Sequence, residues 1–179
     1  MDEHAKQVTG DLLPPLPLEP RTPRREDPHY VRHGTRAVFV FCDPLRGWRR
    51  VNARDSRTRH DWAEEVRRLL DEDYPQAQTV TLVCDNLNTH HIASLYARFD
   101  APTAHRLARR LRIRHTPPHG SWLNVAEIEL SRLGRQCLNR RFESAAQMDK
   151  ELADWQQAGN AERRGIRWSF TTVPATIKL

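Results

Sequence analysis

Two carboxylates in this sequence, Asp85 and Glu127, have the residue type and the setting that metal-dependent chemistry requires. Asp85 directly follows the apolar run 80–84 (VTLVC), whose composition is typical of a buried strand. Open α/β sheets bind ligands at the carboxyl ends of their strands. Glu127 lies near the start of a predicted helix, from which a carboxylate projects towards a neighbouring strand end. Carboxylate oxygens suit a hard cation such as Mg²⁺, and phosphodiester chemistry often uses two such ions.

Each carboxylate also has a structural interpretation. Asp85 and Asn86 suit the cap of a following helix. Glu127 stands three residues after Asn124, which is the spacing of a capping box. Capping and catalysis are compatible roles at these positions. Two carboxylates rarely suffice for a two-ion site, and spacing alone does not select the third from Asp2, Glu3, Asp43 and Asp55.

Other catalytic chemistries have weaker support. His115 and His119 are four residues apart, and His90 and His91 lie upstream, which permits a zinc interpretation. Two prolines separate the first pair and no cysteine pair joins it, so zinc is the weaker hypothesis. The chain has three cysteines, far apart, which indicates core residues in a reducing compartment rather than disulfides.

The charge of the chain favours a polyanionic partner. The net charge is +6 and the sequence pI is about 9.8, and five arginines crowd residues 106–114. Arginine donates two parallel hydrogen bonds to phosphate, so nucleic acid is the expected partner. No apolar run approaches the roughly 20 residues of a membrane span.

The pattern of apolar residues predicts an α/β domain with a mixed sheet. Strands are predicted at 35–41 and 48–53, as a hairpin, and at 79–84 and 112–116. The run at 79–84 is predicted to be a central strand covered on both faces. Helices are predicted at 60–73, 88–99, 104–111, 124–138 and 144–157. Residues 1–30, rich in proline, are predicted to form an arm without regular structure.

Two motifs resemble a known family. DNLNTH begins at Asp85, and HTPPHGSWLNVAEIELSRLGRQCLNRR begins at His115. With MDEHAKQ, RHGTRAVFVFCDPLRGWRRV and WSFTTVPATIKL, they resemble the catalytic domain of bacterial insertion-sequence transposases of the mariner-related group, the DDE superfamily endonucleases. The resemblance extends over essentially all of residues 1–179. It implies a ribonuclease-H-like fold, in which helices flank a mixed five-stranded sheet.

The resemblance also implies the third carboxylate. Asp2, in a DE motif with Glu3, matches the first catalytic aspartate, while Asp85 and Glu127 match the second aspartate and the final glutamate. These three would bind two Mg²⁺ or Mn²⁺ ions, and Glu129 is expected on a different helix face. The residues expected to support them are Asn86, Asn88, His119 and Asn124. Only Met1 precedes Asp2, so we expect a truncated first strand and no helix-turn-helix domain.

The implied activity is cleavage of DNA at the ends of a mobile element, followed by strand transfer into target DNA. Double-stranded DNA is the expected partner, held by Arg106, Arg109, Arg110, Arg112, Arg114, Arg132, Arg135, Arg140 and Arg141. A homodimer, or an assembly with an upstream DNA-binding chain, is expected in the bacterial cytoplasm at the nucleoid, without a membrane. The alternative is an inactive or partial remnant that binds DNA or a partner subunit without cleavage.

Overall fold

The computed structural model describes residues 1–13, 29–117 and 124–165. Its strands are β1 (Asp2–Asp11), β2 (Tyr30–Asp43), β3 (Trp48–Arg54), β4 (Val80–Cys84) and β5 (Leu111–His115). Its helices are α1 (Arg59–Arg68), α2 (Ile92–Arg98), α3 (Ala101–Arg110), α4 (Val125–Leu133) and α5 (Ala145–Glu162). A π-helical turn continues α1 over Leu69–Asp73, and another continues α4 over Gly134–Leu138.

Strands β1, β2 and β3 form an antiparallel sheet with β2 in the middle. Asp2 pairs with Val40 of β2, and Ala37 pairs with Arg54 of β3. The turn between β2 and β3 requires Gly47, whose φ of +64° lies in the left-handed region that a glycine adopts without strain. The predicted hairpin is therefore confirmed, and β2 is longer than the sequence pattern indicates.

Strands β4 and β5 form a parallel pair that lies beside the start of β1. Val80 pairs with Leu111 at one end of the pair. The ammonium group of Met1 donates a hydrogen bond to the carbonyl oxygen of Val83 at 2.7 Å. This bond brings the beginning of β1 to the end of β4. Asp2 follows Met1 directly, and Asp85 follows Val83 by two residues, so both aspartates lie next to the bonded residues.

The alternation of β2 divides the interior into two apolar clusters. Phe39 and Phe41 pack with Trp62 and the apolar faces of α1, α2 and α3. Val38 and Val40 point to the other side, where they pack with α4, its π-helical turn and α5. Helices thus cover both faces of the sheet around β2, which is the mixed α/β architecture predicted from the sequence.

The structure corrects the predicted arm and the predicted central strand. Residues 2–11 form a strand because they pair with the edge of β2. The weak alternation of apolar and polar residues in this segment does not predict that pairing. The prolines of the arm lie outside the described residues. In β4 only Leu82 and Cys84 are buried, whereas Thr81 is exposed and Val83 is 44% exposed. An apolar run does not show how many of its faces are covered. In β2, by contrast, residues 37–41 are buried on both faces.

The helices follow their predicted positions with shifted ends. Pro102, predicted to interrupt a helix, lies in the first turn of α3, where its missing N–H costs no hydrogen bond. Helix α2 begins at Ile92 rather than at residue 88. Within the described residues, no helix is long and apolar enough to cross a membrane.

Candidate active site

Asp2 opens β1 and lies partly buried at the junction of the two sheets. Its Oδ1 accepts a hydrogen bond from the N–H of Glu3 at 2.8 Å. Burial raises the pKa of the Asp2 carboxyl, and the charges of Asp85 and Glu127 raise it further, against the N–H of Glu3 and the ammonium of Met1. Asp85 and Glu127 therefore both lie within electrostatic reach of Asp2.

Asp85 is held at the end of β4 by a buried histidine. The Nδ1 of His90 lies 2.7 Å from Oδ1 of Asp85, at ion-pair distance, and 3.4 Å from the Asp85 carbonyl oxygen. The His90 side chain is 0% exposed and that of Asp85 is 37% exposed. The His90 ring stacks on Trp62, with ring centroids 5.7 Å apart. One carboxylate oxygen thus faces the interior, and the other, Oδ2, has no partner among the described residues.

Glu3 lies on the other side of the same histidine. Its Oε2 is 3.8 Å from Nε2 of His90, and its side chain is only 4% exposed. Burial opposes protonation of His90, but the neighbouring Cys84 and Glu3, together with the charge of Asp85, raise the pKa of His90 to about 10. A buried imidazolium therefore lies between two carboxylates, one of which is a predicted metal ligand.

The sequence offered Glu3 only as a candidate for the third carboxylate and His90 only as a possible zinc ligand, and it did not predict that the two side chains lie together. The signal was present, because His90 closes the DNLNTH motif and Glu3 belongs to the DE motif. What the sequence lacked was the contact between the two segments.

Asn124 fixes the start of α4 against β1. Its side-chain oxygen accepts the N–H of Ala126 at 3.2 Å, so it is the helix cap that the sequence predicts. Its Nδ2 donates to the carbonyl oxygen of Met1 at 3.0 Å, and the residue is 3% exposed. The same residue thus satisfies the helix end and joins it to the beginning of the first strand.

Glu127 lies in the first turn of α4 and is partly buried. Its carboxylate makes no hydrogen bond or ion pair with any described residue, so the capping-box bond is not formed. Glu129, two residues later, is buried and accepts a hydrogen bond from Nε of Arg49 at 2.9 Å. Glu127 is therefore available to a cation, whereas Glu129 is committed to a structural ion pair.

The other predicted supporting residues are placed unevenly. Asn86 and Asn88 are exposed in the segment after β4 and make no hydrogen bond with described residues. His119 lies outside the described residues. His115 lies at the end of β5, with its Nε2 3.0 Å from the His90 carbonyl oxygen.

The nine predicted DNA-binding arginines fall into two groups. Arg106 binds both oxygens of Asp71, at 2.6 and 2.9 Å, and Arg110 contacts the same aspartate at 3.3 Å. Ion pairs with Glu162, Glu151 and Asp11 engage Arg132, Arg140 and Arg141. No ion pair within the described part of the chain involves Arg109, Arg112, Arg114 or Arg135. Only the second group offers its charge to phosphate without first giving up an acidic partner.

The donor chemistry of the site fits a divalent cation of the Mg²⁺ or Mn²⁺ type. Asp2, Asp85 and Glu127 offer oxygen ligands, and their mutual repulsion favours a cation between them. Across residues 1–13, 29–117 and 124–165, no three acidic, histidine or cysteine side chains are close enough to enclose one ion. Asp85 and Glu127 are therefore near Asp2, but the three carboxylates do not enclose a single ion position.

Comparison with known proteins identifies the family and the fold of this chain. The family model described as DDE superfamily endonuclease matches residues 1–149. The fold is similar to that in the crystal structure of the Mos1 mariner paired end complex with Mn, with a TM-score of 0.51 and 14% sequence identity. The match covers 91% of this chain and 52% of that one, so this chain spans about half the length of its structural neighbour. The search of curated protein sequences found no match.

These findings confirm the predicted ribonuclease-H-like fold and the family resemblance. The five described strands are divided between two sheets, rather than joined in the single mixed sheet that the resemblance implies. At 14% identity the structural match carries the fold alone, whereas the family match covers most of the sequence. The matched segment includes the positions of all three predicted carboxylates. The chain belongs to the DDE superfamily endonuclease family.

Proposed function

We propose that this chain is the catalytic domain of a DNA transposase, which cleaves phosphodiester bonds at element ends and transfers the freed strand into target DNA. One observation carries the proposal: Asp2, Asp85 and the first turn of α4 are tied together at Met1. The ammonium of Met1 donates a hydrogen bond to Val83 at the end of β4, and the carbonyl oxygen of Met1 accepts one from Asn124, the cap of α4. The carboxylate-bearing segments are thereby collected at one junction.

The side chains at the junction divide the work. Asp2, Asp85 and Glu127 would hold Mg²⁺ or Mn²⁺. Such ions, when bound as a pair, activate the attacking oxygen and stabilise the leaving one. His90 fixes one oxygen of Asp85 and leaves Oδ2 for the ion. Asn86 and Asn88, exposed beside it, would orient water or the DNA strand.

DNA would be held first through its phosphates. Arg109, Arg112 and Arg114 are exposed on α3 and β5 and carry no acidic partner among the described residues. Contacts of this kind position DNA without reading its sequence, and they weaken as salt is added. The structural neighbour is a paired end complex with Mn, which supports DNA binding and a divalent ion as proposals here. A homodimer is a further part of the proposal. A partner chain that recognises element ends and a place at the bacterial nucleoid belong to the same proposal.

The second candidate is a remnant that binds DNA or a partner subunit without cutting. The observation in its favour is that no three potential ligands in the described ranges are close enough to enclose one ion. If that spacing persists in solution, the chain retains the fold and the basic surface but not the chemistry.

Plasmid nicking in Mg²⁺ or Mn²⁺ distinguishes the two. Asp85→Asn and Glu127→Gln remove one charge each while they keep the side-chain volume, and Glu143→Gln removes an exposed charge far along the chain as a control. We expect the wild type and the control to nick supercoiled plasmid, and the two site variants to lose at least about 100-fold in rate. Equal nicking by all four proteins would reject the catalytic assignment. DNA binding without any nicking by the wild type would favour the remnant.

A further inference from the structure

A surface groove of about 470 Å³ runs between β1 and helix α4 with its π-helical turn. His4 and Lys6 of β1 line one wall, and Ser131, Arg135 and Asn139 line the other. The groove belongs to none of the arginine-rich segments of α3 and β5. Of the described residues that line it, Arg135 alone belongs to the predicted DNA-binding arginines.

Two predicted catalytic carboxylates precede the groove along the chain: Asp2 precedes its β1 wall, and Glu127 precedes its α4 wall. Side chains alternate along a strand, so Asp2, His4 and Lys6 share one face of β1. At about 3.3 Å per residue, Lys6 stands about 13 Å along the strand from Asp2. On the opposite wall Arg135 follows Glu127 by roughly two helical turns. Each wall therefore follows a predicted catalytic carboxylate on the same strand or helix and contains a cationic side chain.

The charge of the groove is unbalanced. Of the described residues that line it, none is acidic. Arg135 donates to Oγ of Ser131 at 2.7 Å and has no acidic partner in the described part of the chain. The ammonium of Lys6 lies 5.8 Å from the centre of the Phe142 ring, and burial lowers the pKa of Lys6. A bound anion would stabilise the charged form of Lys6 against this burial, and no acidic side chain in the described part of the chain pairs with it.

We propose that this groove holds the backbone of the DNA strand whose phosphodiester lies at Asp2, Asp85 and Glu127. The inference rests on the proposed function and names the path of its substrate. Lys6 and Arg135 bind phosphates, and Asn139 and His4 donate hydrogen bonds between them. A length of about 13 Å corresponds to about four base-pair steps along the axis of duplex DNA, at roughly 3.4 Å each. The contacts fix the register of the strand on the enzyme without selecting its sequence.

The salt dependence of binding tests the proposal. Fluorescence anisotropy with a labelled 30-base-pair duplex, in EDTA to prevent cleavage, measures Kd between about 50 and 200 mM KCl. Lys6→Met keeps the apolar stem over Phe142, and Arg135→Gln keeps a polar side chain beside Ser131. Arg57→Gln is the matched control, because Arg57 is exposed, without an ion pair among described residues, and outside the groove.

Each groove variant should weaken binding several-fold and reduce the slope of log K against log salt by about 0.9, the value of one phosphate contact. The control should match the wild type. Lys6→Arg should restore the slope, which shows that charge rather than folding is measured. Wild-type slopes in both groove variants would overturn the inference.

The result is separable from that of the nicking assay. Nicking that depends on Asp85, together with unchanged slopes in both groove variants, rejects the groove and keeps the nuclease. Reduced slopes in both groove variants, together with a wild type that never nicks DNA, keep the groove and reject the nuclease.

Discussion

Replacing His90 by glutamine tests how the buried end of the site is held. The substitution removes the positive charge between Glu3 and Asp85 while it leaves a polar side chain. Glu3, whose side chain is 4% exposed, then retains a buried charge without a counter-ion. The free energy of unfolding should fall as a result.

The structure limits the size of this effect. Removal of one partner from a fully buried ion pair costs about 3–5 kcal/mol. Here the Asp85 side chain is 37% exposed, and the Glu3 oxygen is 3.8 Å from the ring nitrogen. Both features weaken the interaction, so we expect a loss of about 2–3 kcal/mol.

Urea unfolding at pH 7 in EDTA, followed by tryptophan fluorescence, measures the loss. Glu3→Gln and the double variant Glu3→Gln/His90→Gln complete a double-mutant cycle. The double variant has no unpaired Glu3 charge, so it should be more stable than the sum of the single losses predicts, by about 1 kcal/mol or more. Losses that add within about 0.5 kcal/mol would refute the charge argument.

The other predictions concern pH, the helix cap and the two glutamates of α4. Because the pKa of His90 is raised from 6.5 to about 10, the stabilising effect of its positive charge is complete below about pH 6.5 and is lost as pH rises towards 10. In EDTA, the stability of the wild type should therefore fall over this window more steeply than that of His90→Gln. Parallel stability curves would contradict this prediction. Asn124→Ala should cost about 2–3 kcal/mol in urea unfolding, from a lost cap and a buried carbonyl left unpaired, whereas a cost under about 0.5 kcal/mol would show that the cap does not join α4 to β1. Glu129→Gln should lower the free energy of unfolding by about 3 kcal/mol because it leaves the buried Arg49 without a counter-ion. Glu127→Gln should change the free energy of unfolding by no more than about 0.5 kcal/mol and still lose nicking. Equal stability losses would contradict the assigned roles.

Much of the fold follows from local patterns that the sequence displays. The run VFVF in β2 alternates between two cores, and the turn at Gly47 completes the hairpin. Asn124 has the residue type of a helix cap and acts as one. These features depend on neighbours within a few residues, so propensity and periodicity are enough to predict them.

Features that depend on distant partners were predicted poorly or not at all. Residues 2–11 form a strand because β2 supplies the hydrogen-bonding edge, and no pattern inside the segment shows that edge. Arg106 resembles a phosphate ligand in sequence, but Asp71, 35 residues away, already binds it. Whether a charged side chain is available is decided by the fold that surrounds it.

The sequence by itself determined the family, the order of helices and strands after residue 30, and the residue types of Asp85 and Glu127. Side-chain chemistry and spacing are local, and motifs preserve them. Only the tertiary structure decided that Met1 joins β4 to α4, that His90 lies between Glu3 and Asp85, and that Lys6 faces Arg135. Those relations join residues far apart in the chain, and the packing of the sheets and helices brings them together.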